Sequence, residues 1–190
     1  MPPTDLTDGW KHMYWLWMSA GLLVAVWMQA VAGNMRIALP LVPVTAFYYA
    51  VPFGRTRVAL LALPAAGLLD ALLLDRGLTC IASTGVAILL AEFWRRHGNS
   101  RLWFVQAAPG AVIGLGTAVL TVLLQYGAYG LPAAGQISRS VLYILWMTAA
   151  GLALTPCAVV LLDACAERLR LQRFREARRH AGGLDHEAYP

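Results

Sequence analysis

The segment Ile37 to Asp75, IALPLVPVTAFYYAVPFGRTRVALLALPAAGLLDALLLD, decides how the chain is read. Two apolar runs, 37–53 and 58–74, are separated only by Gly54, Arg55, Thr56 and Arg57. Each run approaches the length of about 20 residues that a helix needs to cross a bilayer. A basic turn this short makes the two helices antiparallel neighbours. Pro40, Pro43 and Pro52 predict that the first is kinked or partly unwound, which lipid tolerates only where neighbouring helices cover the freed carbonyls.

Outward from this pair the pattern repeats. Further apolar runs at 14–31, 78–93, 103–126 and 140–162 predict an all-α membrane protein with six transmembrane helices. The flanks are an N-terminus, 1–13, and a basic tail, 164–190. Composition points the same way: of 190 residues 59% are hydrophobic and 13% charged, and the mean hydropathy is +0.59. Soluble domains carry about 25% charge, so no separate soluble domain is expected. The first run reads as a span and not a cleaved leader, because Gln29 and three tryptophans, Trp15, Trp17 and Trp27, interrupt it and more spans follow.

The basic residues give an orientation. Arg36, Arg76 and Arg139 fall on one side of such a bundle, and the other twelve of the fifteen Lys and Arg on the opposite side. Basic residues near span ends are retained in the cytoplasm, so both termini, the 54–57 turn and the 94–101 loop are expected inside. The net charge of +5 then reflects orientation and affinity for anionic headgroups and not nucleic-acid binding. Arg168, Arg170, Arg173, Arg175, Arg178 and Arg179 in the tail are candidate contacts for lipid headgroups or a cytoplasmic partner. The tail is expected to stay helical to about Ala177, and the outer loop 127–138 to be the longest outside.

Few residues carry chemistry. Asp70 stands in an apolar run about 7 Å inside the expected outer helix end, counted from Asp75 at 1.5 Å per residue. It reads as an interhelical hydrogen bond or partner contact, as part of an ion pathway, or as a carboxylate that reaches water or caps a neighbouring helix. Gln29, Gln106 and Gln125 suit hydrogen bonds between helices. Glu92 is expected to pair with Arg95 or Arg96, and Pro156 to kink the last span. Gly110 and Gly114 form a GxxxG spacing, either a helix-packing seam or chance in a glycine-rich chain. Cys80, Cys157 and Cys165 form no CxxC motif or Cys/His cluster and read as small core residues. His12, His97, His180 and His186 all lie in flanks, so neither a metal site nor a catalytic His–carboxylate pair is expected at membrane depth. No enzyme activity and no cofactor are expected.

A run of features resembles a known family. Trp27-Met28-Gln29 closes the first span, Leu39-Pro40-Leu41-Val42-Pro43 breaks the second, and Pro52-Phe53-Gly54-Arg55 makes the basic turn. The third span ends Gly67-Leu68-Leu69-Asp70-Ala71-Leu72 before Gly77-Leu78, and Thr155-Pro156 lies in the last. Over residues 14 to 175 this is similar to the MreD family of rod shape-determining proteins. Where members commonly carry Ser-Gly soon after the Asp, this chain has Leu72-Leu73-Leu74-Asp75. The resemblance implies a non-enzymatic inner-membrane component of the cell-wall elongation complex that binds an MreC-like single-span protein. Through that partner it would connect to RodA, a class B penicillin-binding transpeptidase and MreB. It also implies a six-helix fold similar to the substrate-binding subunits of energy-coupling-factor vitamin transporters, with Asp70, Gln29 and Pro156 as partner-binding or structural residues.

Such a vitamin-binding subunit is the alternative function. Against it, the Ala-x-x-x-Ala docking patch of those subunits is interrupted here, with Val24 four residues after Ala20. The outer side also shows few polar groups beyond Asp70 and Gln125.

Overall fold

The computed structural model describes residues 6–73, 78–97, 103–130, 134–169 and 171. Among them are six helices and no strand: α1 (Leu6–Asn34), α2 (Leu41–Phe53), α3 (Arg55–Leu72), α4 (Thr79–His97), α5 (Trp103–Tyr129) and α6 (Ala134–Arg168).

Helix α2 is the axis of the bundle. Every residue from Val42 to Val51 is buried, and its sequence, apolar or aromatic apart from Thr45, leaves no side suited to water. Phe47, Tyr48 and Tyr49 fill the centre. Small residues face them where neighbouring helices cross: Ala62 on α3, with Ala87 and Ala91 on α4, each fully buried. Met18 and Leu22 of α1, Ile113 of α5 and Val159 of α6 complete the same cluster.

The outer faces are apolar and the interior holds the polar groups. Leu16, Trp27, Leu60, Leu89, Leu123, Leu142 and Leu161 are all more than 60% exposed, on five different helices. Asp70, Ser83, Thr84, Thr155 and Asp163 are buried. A soluble monomer rarely exposes apolar patches above a few hundred Å², whereas a bundle in lipid places ionisable groups inward. Three stretches are long and apolar enough to cross a membrane: Met13–Asn34, Ala107–Gly127 and Gly135–Arg168.

The helix ends depart from expectation at several points. The second helix starts at Leu41 and not at 37, and its 13 residues rise only about 20 Å. Pro40 stands at the N-cap, and Pro43 lies in the first turn, where a missing N–H breaks no intrahelical bond. The feared unwinding is therefore confined to residues 37–40. The four-residue turn contracts to Gly54 alone, at φ 85°, a conformation glycine adopts without strain. Arg55, Thr56 and Arg57 already belong to α3.

The expected outer loop 127–138 is mostly helix, since α5 runs to Tyr129 and α6 begins at Ala134. The expected helical tail from 172 to Ala177 lies outside the described residues, and at the far end α6 runs to Arg168. There the Leu171 N–H bonds to the Ala166 carbonyl at 2.9 Å and the Leu171 side chain is buried, which closes the helix on itself.

The GxxxG face is the contact between α5 and α6. A Cβ on Gly110 would strike the Gly151 carbonyl and Thr155, one on Gly114 the Met147 carbonyl, and one on Gly151 the Gly110 carbonyl. Three glycines thus let two backbones touch, the use such spacings have in lipid. Pro156 is buried inside α6 and gives no N–H to the carbonyl of Leu152. Of the cysteines, Cys80 is buried as expected, but Cys157 and Cys165 are exposed on the outer surface.

Candidate functional site

Two helix starts in this bundle are capped by side chains from other helices. Helix N-termini leave N–H groups without intrahelical acceptors, and in an apolar interior each needs a partner. At α2 that partner is Gln29 of α1, whose Oε1 accepts the Val42 N–H at 2.8 Å. At α4 it is Asp70 of α3: Oδ1 accepts from Cys80 at 2.9 Å and Oδ2 from Ile81 at 3.1 Å. A carboxylate at a helix N-terminus also meets the positive end of the helix dipole. Asp70 lies in the last turn of α3, which ends at Leu72, nearer the end than the expected 7 Å.

Both caps line one cavity of about 250 Å³, at the end of the bundle that carries the α1–α2 connection. Ser83 of α4, Thr117 and Thr121 of α5 and Tyr143 of α6 line it too, over a floor that includes Leu69 and Met147. The serine and the two threonine hydroxyls each donate along their own helix: Ser83 to the Cys80 carbonyl, Thr117 to Ile113 and Thr121 to Thr117. With their protons committed, they offer the cavity lone pairs only. The Gln29 amide presents its NH₂ as a donor.

Arg36 stands at the rim, exposed, in a turn that holds it at φ 59°. That turn is fixed by the Arg36 N–H to Gly33 and the Ile37 N–H to Ala32, both 2.9 Å. The extended stretch beyond it is tied to α6, where the Trp146 Nε1–H donates to the Ala38 carbonyl at 2.9 Å.

A second polar contact lies toward the opposite end. The Tyr48 hydroxyl donates to Asp163 Oδ1 at 2.7 Å, joining α2 to α6 across 115 residues of chain. Close by on the core side, Tyr49 donates to the Trp17 carbonyl at 3.3 Å and meets the Trp17 ring edge-on.

The sequence candidates therefore separate. Gln29 and Asp70 share the cavity, whereas Pro156 sits in the C-terminal half of α6 and away from it. Gln125 is exposed and outside the cavity, and the Gln106 side chain lies outside the described residues. Glu92 and Arg95 form an ion pair at 3.1 Å. Arg168 is exposed in the last turn of α6. Arg170, Arg173, Arg175, Arg178 and Arg179 lie outside the described residues, as do His180 and His186.

The polar lining supplied by Thr117, Thr121 and Tyr143 was not singled out from sequence. The only signal was the i,i+4 spacing of the two threonines on one face of an apolar helix. Among the described residues no three His, Cys, Asp or Glu side chains converge. The arrangement is suited to binding by hydrogen bonds and to fixing helix ends. No protein-family model, curated protein or solved structure matches this chain.

Proposed function

We propose that the chain is a six-span, non-enzymatic component of the bacterial cell-wall elongation machinery, of the MreD kind, in the inner membrane with both termini cytoplasmic. The observation that carries this reading is the pair of inter-helix caps. Gln29 and Asp70, two residues on which the resemblance rests, tie α1 to α2 and α3 to α4 inside a bundle whose outer faces are apolar.

The shorter helices fit six spans for a physical reason. Helices α3 and α4, with 18 and 19 residues, rise about 27–29 Å, close to the hydrocarbon thickness of about 30 Å. Helix α2 is short but enclosed, so it needs no lipid-facing length of its own. Charge supports the orientation: Arg55, Arg57, Arg95 and Arg168 gather at one end of the bundle and Arg36 and Arg139 at the other. In this orientation the cavity opens on the outer side, and an MreC-like single-span protein is the partner. Through it the chain helps position or regulate the RodA and transpeptidase pair and connects to MreB.

Co-expression with an MreC-like protein tests this. A detergent-stable complex weakened by Asp70→Lys is the expected result. Failure to co-purify, together with thermal stabilisation of the chain by thiamine or riboflavin, overturns it. The cavity gives the vitamin-binding alternative a specific observation in its favour, because its lining is more polar than the sequence suggested.

A further inference from the structure

A second cavity adjoins the capped one. It lies between α4 and α5, also about 250 Å³, and is walled by Val86, Val119, Leu120 and Leu123. Ser83 and Thr117 line both, so the polar chamber and an apolar groove on the flank of the bundle meet at these two residues. Gly116 opens that groove: a Cβ there would meet nothing within 4 Å.

The two halves ask for different chemistry. In the polar chamber Ser83, Thr117 and Thr121 present lone pairs, so a guest that brings N–H or O–H donors gains hydrogen bonds there. At its rim Arg36 offers a guanidinium, the side chain best matched to phosphate. The chamber is smaller than the roughly 300–1,000 Å³ of pockets that take drug-sized ligands, and suits a headgroup. Beyond Ser83 and Thr117 the groove offers only apolar contact, as an acyl chain requires.

We propose that this composite site binds one phospholipid, with its phosphate at Arg36, a donor-bearing headgroup (ethanolamine or glycerol) against Ser83, Thr117 and Thr121, and an acyl chain along the α4–α5 groove past Gly116. Asp70 adds negative charge to the chamber wall and favours the ammonium of ethanolamine. Choline carries no N–H or O–H donor and so forgoes the hydrogen bonds to the same hydroxyls. The site needs the chain to reside in a membrane but is independent of any role in cell-wall elongation.

Native mass spectrometry of the purified full chain, with phosphatidylethanolamine, phosphatidylglycerol and phosphatidylcholine of identical acyl chains, tests it. The first two should be retained as one-to-one adducts about tenfold better than phosphatidylcholine, the ratio expected for one or two hydrogen bonds. Arg36→Gln, Thr117→Val and Gly116→Leu should each lower retention by about tenfold, and Arg139→Gln should leave it unchanged. Circular dichroism of each variant checks that the helices persist. Equal retention of phosphatidylcholine, or full retention by a folded Arg36→Gln, overturns the headgroup assignment. Binding of free O-phosphoethanolamine or glycerol 3-phosphate as tightly as the lipids, unaffected by Gly116→Leu, overturns the acyl groove.

Discussion

The Asp70 carboxylate accepts the Cys80 backbone N–H at 2.9 Å across ten residues of chain, and so joins the last turn of α3 to the first turn of α4. Asp70→Ala removes the acceptor for two N–H groups in a buried place. It should cost about 1–3 kcal/mol and lower the midpoint of thermal unfolding in detergent. Asp70→Asn keeps one carbonyl acceptor and should cost less. Equal midpoints for Asp70→Ala and the parent would show that water satisfies the α4 start.

Gln29 does for α2 what Asp70 does for α4. Gln29→Leu keeps the apolar volume but strands the Val42 N–H, at a cost of about 1–2 kcal/mol. Gln29→Glu retains the acceptor and should unfold closer to the parent. Protection of the Val42 amide from hydrogen exchange is the direct readout, and it should fall selectively in Gln29→Leu.

How far the sequence leads is visible in these two residues. Asp70 was conspicuous because a carboxylate in an apolar run is costly, and the runs themselves revealed the helices. Which way each helix faces was hidden, since apolar residues all round leave no periodicity to read. The central place of α2 and the polar chamber built from Ser83, Thr117, Thr121 and Tyr143 therefore emerge only in three dimensions. Helix ends moved for local reasons: Pro40 and Pro43 set the start of α2, and Gly54 let α3 begin three residues early.

The α5–α6 seam makes a sharp contrast between glycines on one helix. Gly110→Leu and Gly114→Leu push side chains into the α6 backbone, and each should destabilise by about 1–3 kcal/mol or more. Gly116→Ala meets open space and should lie within about 0.5–1 kcal/mol of the parent, helix propensity being in its favour. Thermal unfolding of the three variants side by side decides whether the seam is internal.

Tyr48 and Asp163 tie the enclosed helix to the last one at 2.7 Å. Tyr48→Phe removes the donor with little change in volume and should cost about 1–3 kcal/mol. Asp163→Asn preserves an acceptor and should cost less than Asp163→Leu. If Tyr48→Phe and the parent unfold together, the contact is structurally idle.

Side-specific labelling of single cysteines in intact cells tests the six-span reading most directly, after Cys80, Cys157 and Cys165 are replaced. Arg36→Cys, at the cavity rim, should react with a membrane-impermeant maleimide added outside, and Arg95→Cys, at the end of α4, only after the membrane is opened. Reaction of Arg95→Cys from outside would contradict the topology, and with it the outward-facing cavity and the proposed place of this chain in the membrane.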